Sequence, residues 1–148
     1  MRRWLNMLFV LVLLPPSGSR AVEAPRVPVP QLRIIAHPSN PATSIDRKFL
    51  AAAFLKKATL WPDDRVIRPV DAAAQAPVRR AFSDVVLQRS VDSVKSYWQQ
   101  VIFAGHGVPP PELATDAEIV GYVLRNPGGI GYVSAAADID GAKVLQVR

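Results

Sequence analysis

The chain has 148 residues, 49% of them hydrophobic, a formal charge of +6 and no cysteine. The lack of thiols excludes a disulfide framework, a thiolate zinc site, a thiol nucleophile and haem attachment, so the fold must stand on its core alone. Setting aside Arg2, Arg3 and Arg20 leaves +3. The remaining Lys and Arg alternate with Asp and form no basic block with interleaved aromatics, which argues against nucleic-acid binding but allows a modest attraction for anions.

Residues 1–21 read as a signal peptide. Arg2 and Arg3 precede an apolar run of eleven residues, Trp4 to Leu14, and Ser19 and Ala21 occupy the −3 and −1 positions of a cleavage site. The run is shorter than the roughly 20 residues that a spanning helix needs, and Pro15 and Pro16 stop it. No Cys follows it to carry a lipid. Cleavage after Ala21 leaves 127 residues, which suits one domain able to bury about two-thirds of its unfolded surface. The expected product is periplasmic, with no membrane contact after cleavage. Residues 22–30 are a Pro-rich lead-in, and 31–148 are the domain.

Gln31–Ala36 is a short apolar run and the first predicted strand. His37-Pro38-Ser39-Asn40-Pro41 is a loop, since each proline keeps its predecessor out of helical geometry. Ser44 is a candidate cap for a helix over about Ile45–Leu55, with Ile45, Phe49, Ala53 and Phe54 on one face and Lys56-Lys57 at its C-terminal end. Trp61–Arg65 is a turn, with Asp63-Asp64 as solvated charges, and Val66–Val70 a second strand. Asp71–Pro77 is a loop. Pro77 suits the first position of a helix reaching about Leu87, with Val78, Phe82, Val85 and Val86 inward. Ser90 opens a helix to about Phe103, with Val91, Val94, Trp98, Val101 and Ile102 inward, and Gly105 ends it. Thr115 and Glu118 make a capping box for a helix carrying Ile119, Val120, Val123 and Leu124, which Asn126–Gly129 stops. Strands over Ile130–Val133 and Lys143–Val147 finish the chain. Strands interspersed with helices predict an α/β fold, with a mostly parallel or mixed sheet of four to five strands flanked by helices.

The chemistry-bearing motifs are few. The two histidines, His37 and His106, lie in separate loops, and no set of three or four ligands has metal-site spacing. There is no Gly-x-Ser-x-Gly elbow. Gly105-His106-Gly107 and Gly128-Gly129-Ile130-Gly131 are helix stops rather than phosphate loops. Nothing in the sequence makes a case for an enzyme, a metal or a cofactor. Two loops could take an anion. Ser39-Asn40 lies past the C-terminal end of the first strand, where open α/β sheets bind ligands. Gln75 and Arg79 flank the start of the Pro77 helix, where free N–H groups and the helix dipole favour negative charge.

The run Ile34-Ile35-Ala36-His37-Pro38-Ser39-Asn40-Pro41 resembles the first strand and loop of the phosphate-binding branch of the periplasmic solute-binding proteins. Ser44–Lys56 and Trp61–Arg65 are similar to that family's next helix and turn. Asp71 with Arg79 and Phe82, then Ser96-Tyr97-Trp98, Phe103-Ala104-Gly105, Pro109-Pro110 and Pro127–Val133 continue the series in order. The resemblance spans about Gln31 to Val147 and implies a single lobe of the type 2 binding-protein fold, whereas the family's large members close two lobes on phosphate and serve an ABC transporter. It further implies a non-enzymatic domain that takes a phosphate-like anion near Ser39, Asn40, Gln75 and Arg79. The chain departs from the large members where they place a Ser-Gly-Thr turn, reading Gln75-Ala76-Pro77-Val78 instead. That loss of hydroxyls motivates a second expectation, a ligand-free accessory module docking on an envelope protein.

Overall fold

The computed structural model describes residues 31–148. The expected signal peptide and Pro-rich lead-in, residues 1–30, lie outside the described residues. Strands are β1 (Leu32–Ala36), β2 (Ser44–Ile45), β3 (Arg68–Pro69), β4 (Asp71–Ala72), β5 (Glu112–Leu113), β6 (Gly129–Ser134) and β7 (Lys143–Val147). Helices are α1 (Arg47–Phe54), α2 (Pro77–Phe82, continued by a π-helical turn over Ser83–Leu87), α3 (Val91–Phe103) and α4 (Asp116–Arg125).

Five strands form one sheet in the order β2-β7-β1-β6-β3, and β4 and β5 form a separate ladder. The sheet is mixed. Central β1 runs antiparallel to both β6 and β7, while the edge pairs β2–β7 and β3–β6 are parallel. The fold is thus the expected α/β lobe, with parallel pairing confined to the sheet's two edges.

β6 explains how both faces are covered. Its residues from Gly129 to Val133 are all buried, and alternation sends neighbours to opposite faces. A Cβ on Gly131 would lie 2.8 Å from Ile119 and 3.4 Å from Val123, so α4 packs closely there because the residue is glycine. On the other face Tyr132 stacks on Phe82 of α2, with centroids 3.9 Å apart and planes at 2°, and Phe54 of α1 lies 5.7 Å away. The apolar stripes read from the sequence thus become two helical layers around one sheet.

Local signals fix the helix ends. Ser90 accepts from the Ser93 amide and starts α3, and Thr115 and Glu118 form the full capping box of α4. Both α1 and α3 end in a Schellman arrangement, with left-handed Lys56 (φ 53°) and Gly105 (φ 69°). Four expectations need correction. Asp46, not Ser44, caps α1, accepting from the amides of Lys48 and Phe49, because Ser44 and Ile45 are taken into the sheet beside Gln146 and Val147. The strand expected over Val66–Val70 shrinks to Arg68–Pro69, preceded by a single bridge between Leu60 and Val66. Val85, expected inside, is 54% exposed, because the wider π turn shifts the helical phase and brings Leu87 inward. Ile102, also expected inside, is 50% exposed at the end of α3, where only Val94 and Trp98 are fully buried.

Candidate functional site

The loop after β1 is held from several sides. His37 Nδ1 lies 2.7 Å from Ser39 Oγ. Arg65 donates to Ser39 Oγ (3.0 Å), to the Ser39 carbonyl (3.3 Å) and to the Pro127 carbonyl (3.2 Å). The same guanidinium grips Asp63 at 2.6 and 2.8 Å. That contact holds the Asp63 carboxyl below the usual carboxylate range and raises the Arg65 pKa in turn. Both side chains are about one-third exposed, so water screens the pair and it contributes little to stability. Asn40 is buried; its Oδ1 accepts from the Ala42 amide at 2.9 Å, and its carbonyl accepts from Lys143 Nζ at 2.7 Å. Asn40 also lines a cleft of about 350 Å³ with Pro41, Ala42, Trp61, Pro62 and Asp63. Trp61 is pinned there by its indole N–H, which donates to the Gly128 carbonyl at 3.1 Å.

The start of α2 is built differently. Ala76 caps it without a side-chain hydrogen bond, Pro77 has no N–H to offer, and the Arg79 amide already donates to the Ala76 carbonyl at 3.0 Å. Arg79 does not project into solvent. It is 3% exposed and paired with Asp71, itself 4% exposed. Asp71 also accepts from the Tyr132 hydroxyl, which accepts in turn from the Ala72 amide at 3.2 Å. Burial pushes the Tyr132 hydroxyl up to about 12, against the opposing pull of the Arg79 charge. Arg79 Nε has no hydrogen-bond partner.

Three of the four residues singled out from the sequence therefore line three different clefts, and Ser39 lines none of them. Asn40 lines the Trp61 cleft, and Ser39 stands in the loop beside it. Gln75 is exposed in a second cleft, of about 480 Å³, with Arg80, Asp84, Ser90 and Asp92. Arg79 lines a third, of about 410 Å³, between α3 and the Pro109–Glu112 segment, with Lys95, Trp98 and Gln99. Sequence reasoning did not identify Arg65 and Lys143 as partners of the Ser39–Asn40 loop, nor Tyr132 as the third member of the Asp71–Arg79 cluster. These partners lie 26, 103 and 61 positions from the residues they bind, so no local pattern announces them. Among the described residues no cluster of His, Asp or Glu could hold a metal ion, and no helix is long and apolar enough to cross a membrane.

The mixed sheet, its two helical layers and the order of elements define a single lobe of the periplasmic-binding-protein-like fold. Solved structures that share this architecture include proteins of phosphate ABC transport systems. The chain is similar to an ABC-type phosphate transport receptor from Vibrio cholerae, with a TM-score of 0.62, 18% identity, and coverage of 78% of this chain and 45% of the receptor. It is similar to a putative phosphate ABC transporter substrate-binding protein with bound phosphate from Clostridium perfringens, with a TM-score of 0.63, 20% identity, and coverage of 78% and 44%. It is also similar to PstS from Borrelia burgdorferi, with a TM-score of 0.61, 14% identity, and coverage of 79% and 47%. The chain thus spans less than half the length of these proteins. No protein-family model matches it, and no curated protein matches it by sequence.

Proposed function

We propose that the chain is a non-enzymatic, solute-binding-protein-like domain of the cell envelope, exported by residues 1–21, whose ligand is phosphate or a similar small anion held weakly. The observation that carries this reading is the shared fold with phosphate-binding proteins of transport systems, one of them with phosphate bound. Of the four residues expected to make contact, Ser39, Asn40, Gln75 and Arg79, the first two are proposed as the primary contacts. Asn40, Gln75 and Arg79 line different clefts, so an ion at any one of the four keeps much of its hydration, and desolvation without surrounding donors is costly. Weak binding follows. Of the two loops, Ser39–Asn40 is the more favourable. Lys143 and Arg65 both reach it, and only Arg65 is offset, by Asp63. At the other loop the exposed Arg80 sits among Asp84 and Asp92, and Arg79 is already paired. Calorimetric titration with phosphate, with sulfate as control, tests the proposal: heat that saturates in the millimolar range, together with a rise in melting temperature, is expected. No heat and no melting shift at millimolar phosphate rejects it.

A second reading, an accessory module that docks on another protein, is favoured by one specific observation. Phe103 and Val108, at and beyond the end of α3, are 91% and 64% exposed, and apolar surface of this kind marks interaction sites.

A further inference from the structure

Asn40 is 2% exposed, yet one of its hydrogen-bonding groups is left over. Its amide donates to the His37 carbonyl at 2.9 Å, its carbonyl accepts from Lys143 Nζ at 2.7 Å, and its Oδ1 accepts from the Ala42 amide at 2.9 Å. Its Nδ2 has no partner among the described residues. The Ala42 amide fixes which end of the carboxamide is oxygen, because a flipped group would set N–H against N–H. A buried donor without an acceptor is costly and uncommon. This one belongs to a residue that lines the Trp61 cleft, and Ala42, bonded to the same carboxamide, is another of its walls.

The cleft measures about 350 Å³, and its other walls are Pro41, Trp61, Pro62 and Asp63. Neither proline has an N–H to offer. The Trp61 indole N–H is spent on the Gly128 carbonyl, and the Asp63 carboxylate is neutralised by Arg65. Among the lining side chains, the Asn40 amide is therefore the one free donor in a cleft walled mainly by carbon. Clefts above about 300 Å³ with apolar walls and a few placed polar groups are the kind that take organic ligands. A bare phosphate that entered would exchange its hydration for a single donor, at a net cost. An organic group gains there in proportion to the apolar area it buries. The charge belongs just outside, where the Lys143 ammonium rests on the carbonyl of Asn40 itself. We propose that the Ser39–Asn40 loop takes its anion as a phosphate monoester, with the phosphoryl group at Lys143, the small apolar group in the Trp61 cleft and an ester oxygen accepting from Asn40 Nδ2. The proposal rests on the reading of this loop as an anion site and names the class of anion.

Calorimetric titration with phenyl phosphate beside inorganic phosphate tests it, in the wild-type chain and in Ala42→Leu. Phenyl phosphate should bind about tenfold to a hundredfold more tightly, the worth of burying a phenyl-sized group. Ala42→Leu fills the cleft from its wall and should bring phenyl phosphate back to near the affinity of inorganic phosphate, whose own titration shows whether the loop is intact. Pro62→Ser, at an exposed wall residue, is a second variant and should erode the same preference. Inorganic phosphate that saturates while phenyl phosphate binds no more tightly overturns the monoester and leaves the anion reading standing. Heat from neither ligand overturns both. A preference for phenyl phosphate that both variants leave undiminished puts the organic group outside the cleft and overturns the proposed site.

Discussion

Replacing Tyr132 by Phe removes one oxygen from the centre of the buried Asp71–Arg79 cluster and keeps the ring. The ring stacks on Phe82 at 3.9 Å and is fully buried, so its packing survives. The hydroxyl's loss takes one donor from Asp71, while the Ala72 amide keeps its 3.1 Å bond to Asp71 Oδ1. A buried group deprived of one partner costs about 1–3 kcal/mol, and that is the expected loss at neutral pH. The same hydroxyl gives the wild type an alkaline signature. Its pKa is 10.0 when unperturbed and about 12 in the fold. A pKa raised by folding contributes stability that is fully present below pH 10 and is lost as pH rises through about 12, because the unfolded chain ionises first. At about 1.4 kcal/mol per pH unit, the loss over that window is on the order of 3 kcal/mol. Denaturant titrations of wild type and Tyr132→Phe at intervals from pH 8 to pH 12 measure both effects. The difference between the curves isolates Tyr132 from the lysines, which titrate in both proteins. The gap should be largest below pH 10 and should close by pH 12. A gap that stays constant across that range would refute the assignment of Tyr132 as the neutral donor of the cluster.

Arg79→Met strands Asp71 as a buried carboxylate, and breaking a buried pair in this way costs about 3–5 kcal/mol. Adding Asp71→Asn should recover a substantial part of that loss, and a double-mutant cycle by urea denaturation reads the coupling directly. Gly128→Ala should destabilise by about 1–3 kcal/mol or more, because its Cβ would lie 1.9 Å from the Val66 carbonyl oxygen. The backbone cannot retreat there, since the Gly128 carbonyl accepts from both the Arg68 amide and the Trp61 indole. A melting temperature within two degrees of wild type, estimated as about 0.5 kcal/mol for a domain of this size, would show that the strand does have room to move.

The parts of the fold legible in the sequence are those set by signals within four residues of each other. The Val91–Phe103 helix was predicted at both ends because Ser90 caps it and Gly105 adopts the left-handed turn that ends it. The Thr115–Glu118 box likewise fixed α4. Where two signals compete, the sequence cannot rank them. Ser44 and Asp46 can both cap, and β7, a hundred residues further on, decides by drawing Ser44 into the sheet. Val85 fell on the wrong side for a related reason, since a π turn cannot be seen in a pattern read at 3.6 residues per turn. For the site, loops were legible but their partners were not. Ser39 and Asn40 were recognised by their place after the first strand, whereas the cations that reach them come from the β3 approach and from β7. Arg79 looked like a free cation in a first helical turn, and only the folded chain brings the carboxylate of Asp71 against it.

That pairing constrains how the lobe can recognise an anion. An ion at the start of α2 would have to draw Arg79 away from Asp71 and leave a carboxylate with 4% exposure uncompensated. The several kcal/mol this costs exceed the roughly 4.1 kcal/mol gained by a ligand of millimolar affinity, or come close to it. Lys143 is under no such constraint. Its ammonium rests on the Asn40 carbonyl, a neutral acceptor, and can turn to a ligand at the cost of one charge-assisted hydrogen bond. The weak anion affinity proposed for this domain should therefore follow Lys143 and the Ser39–Asn40 loop. Arg79, the cation that the sequence makes most conspicuous, serves the core through its pair with Asp71.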